Sequence, residues 1–378
     1  MKRFLLLIFF LSIVSFQNFS FAEESNERVI KSNRIDNYEI LSISQPGSLF
    51  YSVTNGIIKS AINLNSNLTF IGRANVGLEK VIDKNNIEIL TTRKDYLYSL
   101  SIKTIHNDVS DLFYSKEVSE SLINNEIIIS DLTANLYSLT KGDSMFLIGL
   151  NQQEVEVVVG EIIPDSEIGW FEGVVNKDLG YKLGINRNIQ AIIWGNKITE
   201  NHLIEIHKNI KYKKIRITGR DSTPNRNWVL PTALVKEMFG DFQIKERDGT
   251  WITIDRAWKD ENIETKNVPI LGRITCHRLM WEPLLGAFNQ IIEENLQSGL
   301  SREQYKEAGG CYAPRRINRF DSGGSISRHA WGIAIDINTK TGYKPRIVEI
   351  FNDWGFAWGG TWTSPDAMHF ELRSLSAS

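Results

Sequence analysis

Two short stretches near the C-terminus alternate polar and apolar residues with a period of two, and this alternation limits what the chain can build more than any other feature. In residues 332–338, Ile333, Ile335 and Ile337 share one face, while Ala334, Asp336 and Asn338 share the other. In residues 368–372, Met368, Phe370 and Leu372 share one face, while His369 and Glu371 share the other. Period two is the signature of a strand whose apolar face enters a core and whose polar face lines a cleft. Asp336 and His369 therefore project from one polar sheet face, which the small Gly332 and Ala334 leave open. His329 stands just before the first strand, where a loop carries it over the same point.

Two histidines and one carboxylate suit Zn²⁺, which binds imidazole nitrogen and carboxylate oxygen at about 2.0–2.2 Å and in catalytic sites keeps a fourth position open. Such a site is net positive, acidifies water toward a pKa of about 7 and polarises a carbonyl. Asp366, three residues before His369, is placed to act as a base beside the metal without binding it. Glu371 is placed to orient a ligand histidine. The competing reading makes His329 and His369 hydrogen-bonded core residues; their place on the polar side of the pattern speaks against it.

The N-terminus assigns a compartment. Lys2-Arg3 precedes a nearly unbroken apolar run over residues 4–16, and Ser20-Phe21-Ala22 ends in a small residue before Glu23-Glu24. This reads as a secretory signal peptide, residues 1–22, cleaved after Ala22, with an uncleaved anchor as the alternative. The run is short for a membrane span, and no later segment is apolar enough, so the mature chain is expected to have no transmembrane span. The expected location is the periplasm or the extracellular cell wall. Without residues 1–22 the chain carries 41 basic and 45 acidic residues, a formal charge of −4, which gives no support to nucleic-acid binding. Two cysteines in an exported chain, Cys276 and Cys311, suggest one disulfide, with a pair of small buried thiols as the alternative.

A length of 378 residues suggests two or three domains. Residues 23–220 read as a β-rich α+β accessory region, with strand-forming runs at 49–53, 68–71 and 96–102. Residues 126–196 add two strands, a turn at 151–153 and a hairpin; their order resembles the extracytoplasmic domain of FtsX/MacB-type transporter permeases. That resemblance implies a positioning module with an envelope protein partner. Residues 191–194 and 214–217 are strand-like, with Leu203, Ile206 and Ile210 at helical spacing between them. Residues 221–241, carrying Pro224 and Pro231, read as a linker. A catalytic domain over 242–378 follows. Its helices run over 283–296 and 345–354, with apolar stripes on Leu284, Phe288 and Ile291 and on Ile347, Ile350 and Phe351. The expected class is α+β, with a small antiparallel sheet and flanking helices behind a β-rich mixed region.

The pattern S-x-H-x-x-G-x-A-x-D from Ser327 to Asp336, then W-G-G-x-W from Trp358 to Trp362, then D-x-x-H-F-E from Asp366 to Glu371, resembles the zinc peptidases of the M15 family. The likeness runs over roughly residues 245–378. It is closest to the VanY-like branch of D-alanyl-D-alanine carboxypeptidases, which also holds L-alanyl-D-glutamate endopeptidases. It implies His329, Asp336 and His369 as zinc ligands and Asp366 as the base. It also implies an arginine upstream of the first ligand, Arg315 or the adjacent Arg316, on the substrate carbonyl or carboxylate, with Ser327 beside the substrate. Trp362 lines either the substrate cleft or the core. Asp366 stands where many members carry glutamate, and the shorter side chain occurs among the endopeptidase-like members, so the bond cut is left open. The expected function is an exported zinc peptidase acting on peptidoglycan stem peptides, carboxypeptidase-like. The alternatives are an L-alanyl-D-glutamate or cross-link endopeptidase, or a non-catalytic cell-wall binding protein.

Overall fold

The structure, a computed structural model, describes residues 41–45, 47–169, 171–196, 200–210, 215–218, 229–308, 310–362 and 365–375. The expected signal peptide and residues 221–228 of the expected linker lie outside them. The described residues belong to one contact unit. Among them, no helix is long and apolar enough to cross a membrane. Helices and strands are mixed throughout, with a barrel-like sheet in the N-terminal half and small antiparallel sheets in the C-terminal half.

The N-terminal sheet holds β1 (Leu41–Ser44), β2 (Asn67–Ile82), β3 (Glu88–Thr91), β4 (Tyr98–Ile105), β5 (Ile127–Ser130), β6 (Ser144–Ile148), β7 (Glu154–Ile163), β8 (Gly173–Asn176), β9 (Asn188–Trp194) and β10 (Arg216–Thr218). The length of β2, 16 residues, lets it pair with β9 near its start and with β6 near its end, while β4 pairs along its middle. Strands β2-β4-β8-β5-β7-β6 thereby close on themselves, and β9, β1 and β10 extend from β2 as a wing. Alternate residues fill the ring: Val76 and Leu78, Leu100 and Ile102, Ile127 and Ile129, Met145 and Leu147 form one buried cluster.

The wing is covered by the helices Tyr51–Asn63 and Glu200–Asn209. Residues 49–53, expected as a strand, instead enter the first of these at Tyr51. Val53, Ile57 and Ala61, one turn apart, are all buried against Ile43, Ala191 and Ile193, so the longer helical stripe overrides the β preference of the five-residue run.

Residues 232–239, inside the expected linker, form a helix (Thr232–Phe239) that serves both halves. Val235 and Phe239 enter the core of the C-terminal half. Lys236, 1% exposed, points the other way. Its Nζ lies 2.7 Å from Glu172 Oε1 and 3.2 Å from Asp241 Oδ2. It also donates to Ser99 O at 2.6 Å and to the Tyr137 hydroxyl at 2.9 Å. Leu97 and Ile244 exchange backbone hydrogen bonds at 2.9 and 2.8 Å across the same junction.

The C-terminal half carries three small antiparallel sheets. They are β11 (Ile244–Glu246) with β12 (Ile252–Ile254), β13 (Ile263–Val268) with β14 (Gly272–His277), and the three-stranded set β15 (Ala334–Asp336), β16 (Phe356–Trp358) and β17 (His369–Leu372), in the order β15-β17-β16. The two expected helices form over Trp281–Glu293 and Pro345–Asp353 and bury Leu284, Phe288, Ile291, Ile347, Ile350 and Phe351 behind that last sheet. Phe351 stacks on Phe370 of the central strand, ring centroids 4.3 Å apart, so the apolar side of the alternation is anchored as expected.

Candidate metal centre

The antiparallel register sets Asp336 directly opposite His369 and Ala334 opposite Glu371. His369 and Asp336 are therefore cross-strand neighbours, close enough for their side chains to meet. His329 arrives differently. It lies on a short helical turn, Arg328–Trp331, in place of the expected loop. Ser327 caps that turn, its Oγ accepting from His329 N at 3.3 Å. Gly332 ends it in the left-handed region at φ +70°, and a Cβ there would lie 2.7 Å from His277 N, so only glycine lets the chain turn directly into β15.

The three side chains converge. His369 Nδ1 lies 2.9 Å from Asp336 Oδ1, and His329 Nε2 lies 3.2 Å from Asp336 Oδ2. One ligand atom from each residue falls within 4.8 Å of the others. Exposures of 2%, 3% and 7% for His329, Asp336 and His369 put the cluster inside the protein. Each histidine uses its second nitrogen outward: His329 Nδ1 lies 3.0 Å from Cys311 O, and His369 Nε2 lies 3.1 Å from Glu371 Oε2. These contacts fix ring orientation and aim His329 Nε2 and His369 Nδ1 inward. His329 Nε2 is buried, and its approach to Asp336 lacks the alignment of a hydrogen bond, so this inward nitrogen has no hydrogen-bond partner. Two imidazole nitrogens and a carboxylate oxygen, one nitrogen unsatisfied, are a donor set that fits Zn²⁺.

Electrostatics agree. Burial pulls His369 down, but its hydrogen bonds to Asp336 and Glu371 outweigh that and push it up to about 9. Burial also works against the Asp336 carboxylate, yet the close approach of the two imidazoles, His369 through a hydrogen bond and His329 at 3.2 Å, holds it well below the usual carboxylate range. The cluster thus favours positive charge at its centre.

The surrounding residues sort as follows. Glu371 Oε1 is 3.8 Å from Arg328 Nε, and Arg328 Nη2 donates to Leu230 O at 2.6 Å, so an arginine inside the motif, unremarked in the sequence, braces the carboxylate that orients His369. Tyr343 is a second residue that sequence reasoning missed: its hydroxyl reaches Ile337 O at 2.7 Å and Met368 O at 2.9 Å, tying together the chain ends that frame Asp336 and His369. Asp366 is half-buried at the entry to β17. Its N–H donates to Gly359 O at 3.0 Å, and its carbonyl accepts from His369 N at 3.2 Å. A Cβ on Gly359 would sit 2.6 Å from Asp366 O, which is why the turn closes so tightly there. The Trp362 ring stands 5.2 Å from the His369 ring and is half-buried, on the cleft side of the centre.

The two adjacent arginines part company. Arg316 is buried, paired with Glu246 at 2.7 and 3.0 Å, and donates to Gly324 O at 2.7 Å. Arg315 is half-buried, and among the described residues its guanidinium has no hydrogen-bond or ion-pair partner. Cys276 and Cys311 are joined in a disulfide with Cα atoms 5.4 Å apart, which settles the cysteine pair as a bridge.

A buried two-histidine, one-carboxylate centre on a small antiparallel sheet, with outer contacts on both histidines, is a cluster that could hold a metal ion. Residues 321–372 match the family model described as D-alanyl-D-alanine carboxypeptidase, so the resemblance to the M15 peptidases holds over that segment. The match spans His329, Asp336, Asp366 and His369; Arg315 and both cysteines fall outside it. No curated protein matches the chain. Among solved structures, the extracellular domain of the noncanonic ABC-type transporter YknZ from Gram-positive bacteria is similar at 12% identity, covering 48% of this chain and 100% of that chain. It is the kind of domain named for residues 126–196, but its TM-score of 0.25 gives it no weight here.

Proposed function

We propose that this protein is an exported zinc peptidase that hydrolyses peptide bonds in peptidoglycan stem peptides. The observation that carries the reading is the convergence of His329, Asp336 and His369, with each histidine held by an outer partner and its other nitrogen turned inward. Zn²⁺ in that set supplies a Lewis acid that polarises a carbonyl and acidifies water. Asp366, at the loop entering β17, takes a proton from the attacking water and returns it to the leaving amine. Arg315 binds the substrate carbonyl or terminal carboxylate, because Arg316 is already committed to Glu246 and Gly324. Ser327 acts through the capped turn that presents His329. Export is supported by the charged and apolar start of the chain and by the Cys276–Cys311 bridge, which suits an oxidising compartment.

The test combines zinc content with mass spectrometry of digested peptidoglycan. Loss of one terminal alanine marks a carboxypeptidase, whereas separation of L-alanine from D-glutamate, or cross-link opening, marks an endopeptidase. Zinc-loaded protein that releases no new peptide ends would overturn the enzyme reading in favour of a cell-wall binder.

A further inference from the structure

A cleft of about 1280 Å³ lies between the two halves of the chain. Its C-terminal wall includes Trp362 and Glu371, both in contact with His369, so the cleft borders the cluster, whose three side chains do not themselves line it. Its other wall comes from the N-terminal half and includes Arg73 on β2 and Arg187 just before β9. Among the described residues the charged groups lining it are Arg73, Arg187, Arg328 and Glu371, and Glu371 is already engaged by His369 and Arg328.

Arg73 is the informative group. Its Nη2 donates to Ser325 Oγ across the junction, and Ser325 Oγ in turn reaches Asn75 Oδ1 at 3.3 Å. Its Nε is buried without a hydrogen-bond partner, and among the described residues no carboxylate pairs with it. Burial, and then the like charge of Arg328, both weaken its hold on its proton. The guanidinium, half-buried and 5.7 Å from the Phe171 ring centroid, is near the like charge of Arg328 with no carboxylate paired to it among the described residues, an arrangement that an anion would stabilise. Planar guanidinium groups recognise carboxylates with paired, charge-assisted hydrogen bonds.

We propose that the N-terminal half is a wall of the substrate cleft, and that Arg73 and Arg187, with Arg328 behind them, form a subsite for a carboxylate carried by the peptide away from the bond that is cut. The proposal rests on the peptidase reading and adds the substrate class: an acidic peptide, recognised through a carboxylate by residues outside the catalytic half.

The test uses zinc-loaded, full-length protein and two probes, a synthetic stem pentapeptide with its glutamyl α-carboxylate free and the same peptide amidated there. Affinity is read by calorimetry and, where turnover occurs, KM is read beside kcat. The parent is expected to favour the free acid about tenfold. In Arg73→Gln that ratio falls toward one, and in the exposed Arg187→Gln it falls part-way, which guards against misfolding of the first variant. A parent that does not separate acid from amide, or an Arg73→Gln variant that keeps the full ratio, overturns the subsite while leaving the peptidase reading intact. Discrimination lost in Arg73→Gln without any cleavage by the parent upholds the subsite and removes the peptidase reading instead.

Discussion

His329 Nδ1 lies 3.0 Å from the carbonyl oxygen of Cys311, and Cys311 is covalently tied to Cys276. The bridge therefore holds the acceptor that orients His329 in the candidate metal cluster. Closing a sequence separation of 35 residues stabilises the fold by about 3–4 kcal/mol in the chain-entropy treatment. The double variant Cys276→Ala, Cys311→Ala is expected to lose that much in urea denaturation. It should also weaken zinc retention against a chelator, by less than the about 10–100-fold that loss of an outer partner costs, because the residue 311 carbonyl remains and only its tether is removed. Unchanged zinc affinity in the variant would separate the bridge from the metal.

Asp366→Asn keeps the hydrogen-bonded turn at Gly359 and all three ligands, so zinc content should stay at one per chain. Turnover is expected to drop about 10²–10⁴-fold, the usual contribution of a positioned base. His369→Ala should abolish both metal and cleavage. An asparagine variant that cleaves at the parental rate means that Asp366 is not the base.

Lys236 is buried with Glu172, Asp241 and Tyr137 around it. Lys236→Met leaves two carboxylates without their cation and should cost about 3–5 kcal/mol, measured by chemical denaturation. Adding Glu172→Gln to that variant should recover part of the loss. Full additivity of the two substitutions would show that the ion pair does not couple them.

His277 is fully buried, and burial lowers its pKa to about 4 despite its contact with Phe239 O at 3.2 Å. The unfolded chain binds the proton near pH 6.5, and the folded protein resists it until about 4. The contribution of this group is thus present above 6.5 and is lost as pH falls toward 4, by roughly 3 kcal/mol. The difference in unfolding free energy between metal-free parent and His277→Asn should shrink by that amount from pH 7 to pH 4. A difference independent of pH would show that His277 does not resist protonation.

The face shared by Asp336 and His369 was legible because period two permits one assignment of sides, and the Phe351–Phe370 stack fixes which side is core. The turn carrying His329 was not, because four residues make too short a helix to show a period; its signals are the Ser327 cap and Gly332. Residues 49–53 misled because β preference was read over five residues while the buried stripe runs to Ala61. Residues 232–239 read as linker because Pro224 and Pro231 precede them, and the partners that Lys236 finds give no local signal. Those partners lie 64, 99 and 137 residues away at Glu172, Tyr137 and Ser99, beyond any local pattern. Arg73 and Arg328 escaped notice for the same reason.

The helix Thr232–Phe239 gives one face to each half, and this decides what can be inherited as a piece. A recombination that exchanged the C-terminal half alone would strand Lys236 opposite an unrelated sheet, or leave Glu172 without its cation. The unit that selection can move intact is the barrel-like sheet, the bridging helix and the β15-β17-β16 sheet together.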